Sequence, residues 1–382
     1  MLKKEFGKNT NCVHAGTYLD KNSFGINTPI FASTAHLYPN DQNLIRYPRY
    51  GNIPTQQAVS DKLAALEFGE TAQIFSSGMA AITTTLFALL KSGDHAIFQN
   101  GLYGGTQRFI NSELKRYVIK KDIVKSNNID EYAEMIKKNT KLIYVESPTN
   151  PLLDVIDLRK LSKLAKENNI ITIVDNTFAT PINQNPLKRG INIVIHSGTK
   201  YLNGHSDLCC GAIVTSRELM EKINEISLTH GGCLDTFASY QLERGLKTLG
   251  LRIERQNKNA LKLAEFLANH ELVEKVYYPG LTEHPGYDIA IKQMTGFGGM
   301  LSFDLGETAK AKEFVNNLEL ITPAVSLGGV ESICCFPAET SHAKISAKRR
   351  ELQGITDSLI RLSVGIEDYD DILNDIENAL SK

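Results

Sequence analysis

The stretch INIVIHSGTKYLNGHSDLCCGAIV, residues 191–214, decides how the rest of the chain is interpreted. Its first five residues, up to Ile195, are mostly β-branched and predict a buried strand, and the run GAIV at its end predicts another. Between the two strands Lys200 follows Ser197 and Thr199. A buried ammonium group is costly unless it is paired or neutralised, so an amine at the end of a core strand needs an explanation. The neighbours of this lysine therefore decide what the site can do.

Other apolar runs alternate with amphipathic helices along the chain. The runs that predict strands are AQIFSSG, HAIFQN, KLIYVES, IITIVDN and GAIVTS. Continuous valine and isoleucine runs separated by helices favour an α/β fold with a mostly parallel central sheet that is covered on both faces. The carboxyl ends of such strands meet at one edge of the sheet. We therefore expect one crevice to receive the residues 76–78, 146–148, 175–177 and 197–200.

Three regions differ in pattern, and we expect them to be separate units. Residues 1–54 carry turn-forming residues without a helical period, as in RYPRYGNIPT, and should form an N-terminal arm that packs against something else. Residues 55–250 contain the alternating helices and strands of a large domain. Residues 251–382 begin with a long helical pattern and continue with short strands, which predicts a smaller C-terminal α+β domain.

Composition excludes some classes of partner. The 382 residues include 42 lysines and arginines against 43 aspartates and glutamates, so the net charge of -1 gives no electrostatic reason to expect nucleic acid or an anionic membrane. No run approaches the ~20 apolar residues of a membrane span, and the first residues lack the apolar centre of a signal peptide. We expect a cytoplasmic protein.

The cysteines form no C-x-x-C pattern, and two pairs are adjacent in sequence, which suits neither zinc nor an ordinary disulfide. We expect them to be small buried residues, and the alternative is a catalytic cysteine. The six are Cys12, Cys209, Cys210, Cys233, Cys334 and Cys335.

Three predicted strand ends carry residues that could bind a ligand or take part in catalysis. In SSGMAAITTTL a strand leads directly into a helix, whose free N–H groups can bind an anion, although a plain capped turn is the alternative. Asp175 follows a strand and needs a cationic partner if it is buried; for a metal, only His196 and His205 are candidate ligands, and no set with good spacing supports one. No dinucleotide or Walker glycine pattern is present.

Lys200 completes this set. A lysine at the start of a surface loop is the ordinary interpretation, but a desolvated lysine loses basicity and can hold a carbonyl as a Schiff base. An amine, a carboxylate and a phosphate cradle together fit pyridoxal 5'-phosphate (PLP), whose aldehyde, ring nitrogen and phosphate need those three partners.

Eight motifs along almost the whole chain carry a family resemblance. In order they are SSGMAAI, YGGT, ESPTNP, VDNTFATP, HSGTKYLNGHSD, RGLKTL, SLGGVES and RLSVGIED. With them the sequence resembles the cystathionine and methionine branch of fold-type I PLP enzymes, which includes cystathionine γ-lyase, cystathionine γ-synthase and methionine γ-lyase. The resemblance implies that fold, with the arm and the two domains given above.

The resemblance also implies roles for individual residues. Lys200 would bind the cofactor and move protons, Asp175 would pair with the ring nitrogen, and Tyr103 would stack on the ring and is a candidate acid–base group. The implied phosphate and ring contacts are Gly78, Met79, Ser197, Thr199 and, at the ring edge, Thr177. The implied contacts of the substrate α-carboxylate are Arg361, Asn150 and Ser326.

The arm acquires a role through the same resemblance. In this family a tyrosine and an arginine near the N-terminus reach the phosphate site of a neighbouring subunit, and here these are Tyr47 and Arg49. The segment that follows, residues 52–55, is one residue longer than the usual pattern. The resemblance implies a homotetramer built as a dimer of dimers, with active sites shared between chains.

Local features point to a reaction without fixing it. SLGG resembles the members that act at the γ-carbon. Val325 precedes Ser326 where cystathionine-specific enzymes often carry glutamate, and Gly105 stands where methionine γ-lyases often carry cysteine. We expect α,γ-elimination on cystathionine or a related substrate, giving 2-oxobutyrate, ammonia and a thiol. The alternatives are a methionine or homocysteine γ-lyase, a γ-synthase acting on an O-acylhomoserine and, from another class, an aminotransferase.

Overall fold

The protein is represented by a computed structural model that describes residues 6–41, 45–343 and 345–381. Its strands form a seven-stranded sheet and a five-stranded sheet. The first contains β1 Thr71–Phe75, β2 His95–Gln99, β3 Lys120–Val124, β4 Thr140–Glu146, β5 Ile171–Asp175, β6 Ile193–Ser197 and β7 Gly211–Thr215. The second contains β8 Lys275–Tyr277, β9 Met300–Asp304, β10 Thr322–Pro323, β11 Ile333–Cys335 and β12 Leu359–Ser363.

The helices cover both sheets. They are α1 Lys8–His14, α2 Pro54–Glu67, α3 Gly78–Leu89, α4 Gly104–Arg116, α5 Ile129–Glu134, α6 Leu158–Glu167, α7 Thr180–Asn183, α8 Arg217–His230, α9 Thr236–Lys247, α10 Leu249–Ala268, α11 Tyr287–Gln293, α12 Thr308–Asn317, α13 Ala347–Leu352 and α14 Tyr369–Ser381. Within the described ranges, none of these helices combines the length and the apolar character that crossing a bilayer requires.

The larger sheet is mostly parallel, as predicted. Its strand order is β1-β7-β6-β5-β4-β2-β3, and every neighbouring pair from β6 to β3 is parallel. Only β7 runs the other way, antiparallel to both β6 and β1, so β1 and β6 point in the same direction. The ends of β1, β4, β5 and β6 therefore share one edge. Strand β3 was not predicted, because its sequence KKDIV carries three charges that its position at the sheet edge tolerates.

Strand β6 explains the continuous apolar runs of this sheet. Ile193 and Ile195 pack in a core that includes Ile82 of α3, whereas Val194 packs on the other face in a core that includes Leu63 of α2. Successive strand residues point to opposite faces, so a sheet covered on both sides needs apolar residues at every position.

The smaller sheet carries a buried basic residue towards the crevice edge of the larger one. Its central strand β12 pairs antiparallel with β9 and β11, and Arg361 lies in the middle of β12 with only 5% of its surface exposed. The two sheets agree with the α/β and α+β patterns in the sequence. The boundaries at residues 54 and 250 stay predictions.

Candidate active site

The strand ends are aligned by register. Glu146 pairs with Asp175 across β4 and β5, Asp175 pairs with Ile195 across β5 and β6, and Ser197 pairs with Gly211 across β6 and β7. Neighbouring strands in a sheet lie about 4.8 Å apart, so their last side chains form a contiguous row. The structure thus brings the predicted strand-end residues to one edge of the sheet.

The start of α3 forms an anion cradle against β6. Ser77 caps the helix by accepting a hydrogen bond from the N–H of Ala80 at 3.1 Å. A side chain at Gly78 would place its Cβ only 3.0 Å from Cβ of Ser197, so glycine is what allows the helix to approach the strand this closely. Free N–H groups and the helix dipole at this position favour a bound anion such as a phosphate.

Ser197 and Thr199, the two residues whose hydroxyls are predicted beside the cradle, differ in the contacts that hold them. The N–H of Ser197 donates to Oγ1 of Thr177 at 2.8 Å, which fixes Ser197 next to β5. The hydroxyl of Thr199 donates to the carbonyl of Cys210 at 3.2 Å and accepts from the N–H of Cys210 at 2.9 Å. A contact between Thr199 and a phosphate would require this hydroxyl hydrogen to turn away from Cys210.

Asp175 is a carboxylate in need of a cation. It accepts a hydrogen bond from the N–H of Thr177 at 3.0 Å, and the hydroxyl of Tyr144 lies 3.5 Å from its other oxygen. Burial raises the pKa of Asp175, while the hydrogen bonds from Thr177 act in the opposite direction. The side chain keeps partial exposure at the crevice, where a protonated ring nitrogen can reach it.

Lys200 contacts Ser326, one of the residues predicted to bind the substrate carboxylate. Its Nζ donates to Oγ of Ser326 at 2.6 Å. Burial lowers the pKa of this amine, and the nearby Arg361 guanidinium lowers it further. A larger fraction of the amine is therefore neutral near pH 7 than for an exposed lysine, which is the form that attacks a carbonyl.

Arg361 is held by neutral acceptors. Its guanidinium donates to Oδ1 of Asn150 at 3.0 Å and to the carbonyl of Ser326 at 2.9 Å. Among the residues that the structure describes, no carboxylate lies within ion-pairing distance of it. Ser326 has a φ of +84°, a strained value that a non-glycine residue rarely adopts. A buried arginine of this kind suits the carboxylate of a ligand.

Tyr103 lies beside the anion cradle. It immediately precedes α4, and its side chain is 48% exposed. A Cβ at Gly105 would lie 2.6 Å from the ring of Tyr103 and 2.9 Å from Sδ of Met79. Gly105, the second glycine of YGGT, therefore leaves the space in which the tyrosine ring lies, next to the start of α3.

Tyr47 and Arg49 do not join this group within the chain. Arg49 donates to the carbonyl of Leu228, and its guanidinium lies 5.5 Å from the rings of Tyr47 and Tyr50. Their proposed contact with the phosphate site of a second chain stays a prediction.

Three residues near the site were given no role from the sequence, or a different one. Glu146 is part of the motif ESPTNP and had no predicted role, yet its carboxylate accepts a hydrogen bond from the N–H of Tyr103 at 2.8 Å. Its position level with Asp175 at the end of a neighbouring strand was the available signal. Tyr144 gave no signal beyond an apolar strand. His196, considered for metal ligation, instead binds the buried Glu67 at 2.7 Å.

The prediction that all cysteines are buried is wrong for one of them. Cys12, Cys210, Cys334 and Cys335 are buried and Cys233 is partly so, but Cys209 is exposed. It lies in the loop between Lys200 and β7.

Comparison with known proteins identifies a family that covers almost the whole chain. The family described as "Cys/Met metabolism PLP-dependent enzyme" matches residues 9–381. The chain belongs to this family. It is 44% identical to the L-methionine γ-lyase of Fusobacterium nucleatum subsp. nucleatum over 100% of both chains, and 45% identical to the cystathionine γ-lyase of Bacillus subtilis over 98% of this chain and 99% of the relative. Cystathionine β-lyases of Lactococcus lactis are similar as well.

A solved structure agrees with the fold. The cystathionine γ-lyase of Lactobacillus plantarum complexed with L-serine has a TM-score of 0.95 and is 40% identical, covering 98% of this chain and 99% of that one. The chain is therefore a PLP-dependent lyase of sulfur amino acid metabolism. The residues present fit the cofactor: a lysine of lowered pKa, a carboxylate at the crevice and an anion cradle that only a glycine keeps open.

Proposed function

We propose that this lyase catalyses α,γ-elimination on cystathionine, which with one water gives 2-oxobutyrate, ammonia and cysteine. The observation that carries the proposal is the chain of contacts from Lys200 through Ser326 to Arg361. A substrate whose α-carboxylate lies on Arg361 has its α- and β-carbons within reach of the same amine. An amine that serves both carbons is what elimination at the γ-position requires.

Each residue then has a task. Arg361 and Asn150 orient the substrate carboxylate. With PLP bound, its ring withdraws electrons from the α-carbon of the substrate. Lys200 takes a proton from the α-carbon and then moves protons at the β-carbon, and its lowered pKa increases the share of the neutral amine, which is the form that accepts a proton. Tyr103 donates a proton to the departing sulfur, and Asp175 keeps a negative charge facing the ring nitrogen.

Val325 favours a second candidate. The residue precedes Ser326, and 69% of its side chain is exposed. An apolar side chain there offers nothing to the distal ammonium of cystathionine, whereas it suits the methyl thioether of methionine. Elimination on methionine or homocysteine is therefore the second proposal, and γ-replacement on an O-acylhomoserine is tested beside it.

The experiment is to incubate the purified enzyme with L-cystathionine and identify the keto acid and the thiol by mass spectrometry. We expect 2-oxobutyrate and cysteine, and Lys200→Ala as the control should produce neither. Pyruvate with homocysteine would mean cleavage at the β-carbon and would overturn the proposal. If cystathionine is inert, methionine, homocysteine and an O-acylhomoserine with a thiol are tested in the same way.

A substitution at Val325 separates the two candidates. Val325→Glu adds a carboxylate for the distal ammonium, and we expect it to raise kcat/KM for cystathionine relative to methionine by about tenfold. Val325→Gln is the matched control because it adds length without charge. An equal ratio in all three proteins would show that position 325 does not face the distal group.

We also propose a homotetramer with shared active sites, and a cytoplasmic location. Exposed apolar side chains in the arm support the assembly, since 80% or more of Phe24, Ile26, Leu37 and Tyr38 is accessible in the single chain. Light scattering coupled to size exclusion should give the mass of four chains, and a monomer would contradict the proposal.

A further inference from the structure

A second carboxylate lies beside Asp175. Glu146 ends β4 as Asp175 ends β5, and the two are register partners in parallel strands. Tyr144, two residues earlier in β4, directs its hydroxyl to Asp175. Because residues two apart share a face of a strand, Glu146 lies on the same face as Asp175.

Glu146 holds the residue that precedes α4. Its Oε1 accepts the hydrogen bond from the N–H of Tyr103 at 2.8 Å, and its own N–H donates to Oε1 of Gln99 at 2.7 Å. The side chain of Tyr103 makes no capping hydrogen bond to α4. The carboxylate of Glu146 therefore takes part in fixing where this helix begins. The ring of Tyr103, confined by Gly105 and Met79, depends on that backbone position.

The two carboxyl groups cannot both carry a charge at low cost. Buried like charges on neighbouring strands disfavour double ionisation, and one of the groups then holds a proton. Asp175 receives the N–H of Thr177 and keeps partial exposure, whereas Glu146 is buried and receives the N–H of Tyr103. In agreement, burial and the neighbouring Asp175 raise the pKa of Glu146 well above its usual range.

We propose that Glu146 is a positioning residue for Tyr103 that acts as a neutral carboxylic acid, so that Asp175 carries the negative charge of the pair. The carbonyl oxygen of a neutral acid can also accept the N–H of Tyr103, in a weaker bond than a carboxylate forms. A glutamine has the same shape and offers the same acceptor. The inference rests on the proposed roles of Tyr103 and Asp175.

The test compares Glu146→Gln, Glu146→Ala and Glu146→Asp in the holoenzyme. Visible circular dichroism of bound PLP reports the surroundings of its ring without turnover, and steady-state kinetics report kcat and KM separately. We expect Glu146→Ala to change the dichroism and lower kcat about tenfold or more, with KM altered less than about twofold because Arg361 is untouched. Glu146→Gln should restore the wild-type dichroism and kcat to within about threefold.

Glu146→Asp distinguishes length from charge. It keeps a carboxylate but withdraws it by one methylene, so we expect it to resemble Glu146→Ala. Asp304→Asn is the matched control: Asp304 is a buried carboxylate of the smaller sheet that accepts hydrogen bonds from Ser358 and Thr356, and its loss should affect stability but not the dichroism.

Two results would overturn the inference. If Glu146→Gln loses as much as Glu146→Ala while Glu146→Asp retains activity, the site requires an ionised group. If Glu146→Ala has wild-type dichroism and kcat, the residue does not position Tyr103. A wild-type protein that binds PLP but converts none of the sulfur substrates would instead refute the proposed function, and the dichroism comparison would still decide the role of Glu146.

Discussion

The crevice and the N-terminal arm differ in how far their side chains find contacts within a single chain. In the crevice Lys200, Ser326, Arg361 and Asn150 form a continuous set of contacts, although residues 150 and 361 are far apart in sequence. In the arm, Leu37 is 97% exposed. The contacts among these four residues are thus made within one chain, whereas the arm exposes an apolar side chain of the kind that often marks an interaction surface.

The largest effect is expected from Lys200→Ala, which removes the amine from the crevice. The variant loses both the covalent attachment of PLP and the base, so kcat should fall by about 10³-fold or more. PLP should still bind through the anion cradle, but its visible spectrum should change. Absorption spectra and kcat measure these effects, and Lys222→Ala on the exposed side of α8 is the control. An active Lys200→Ala protein would contradict the assignment.

Arg361→Lys should have the next largest effect. Lysine keeps the charge but cannot contact a carboxylate, Asn150 and the carbonyl of Ser326 in one plane. We expect kcat/KM to fall about 10- to 100-fold, mostly through KM, as for the loss of a charge-assisted hydrogen bond. Arg255→Lys, in a partly exposed pair with Asp368, is the matched control. A change in kcat alone would argue against a role in carboxylate binding.

The sequence was informative where a residue type and its position in a strand coincide. Lys200 and Asp175 each follow an apolar strand, and parallel strands bring such ends together, so this part of the site could be predicted from the order of residues alone. Arg361 needed the family resemblance, because nothing local distinguishes it from a surface arginine.

What could not be predicted depends on contacts between distant segments. The bond from Glu146 to the N–H of Tyr103 joins β4 to the start of α4, and the two hydrogen bonds of Thr199 to Cys210 depend on how the loop after Lys200 folds back. The exposure of Cys209 is set by the same loop. Strand β3 was missed because an edge strand tolerates charges that a central strand does not.

Mixing two impaired variants tests whether the arm completes the crevice of another chain. Arg49→Ala should be impaired because it removes a cation proposed for the phosphate of a neighbour. Dissociated and reassembled with Lys200→Ala, it should recover about a quarter of the wild-type sites, since half of random pairs are hybrids with one intact site. Activity at limiting PLP, before and after mixing, is the measurement.

The control for this experiment comes from the crevice itself. Arg361→Ala mixed with Lys200→Ala should recover nothing, because both residues belong to the site of the same chain. Recovery in this pair would mean that the crevice is divided between chains in another way. If neither mixture recovers, Arg49 acts within its own chain, where it contacts Leu228.

The smallest effect concerns how the arm is attached to the larger sheet's helices. Lys62 of α2 is buried, and its Nζ donates to the carbonyl of Val13 at 3.2 Å and to the hydroxyl of Thr17 at 3.4 Å. Burial lowers the pKa of Lys62 to about 8, against about 10.4 in an unfolded chain. Between these two values the unfolded chain binds more protons, so this lysine makes the free energy of unfolding rise with pH, by at most about 1.4 kcal/mol per pH unit.

Lys62→Met should remove that rise, because methionine fills similar space without titrating. Denaturant midpoints at pH 7, 8, 9 and 10, at one fixed protein concentration, measure the slope for each protein. Lys222→Met, at an exposed position on α8, should keep the wild-type slope. If the midpoint rises from pH 8 to 10 in the wild type but not in Lys62→Met, α1 is held to α2 by a lysine that deprotonates within the fold. An unchanged slope in Lys62→Met would mean that water reaches this amine, and that the attachment of the arm depends instead on its apolar contacts.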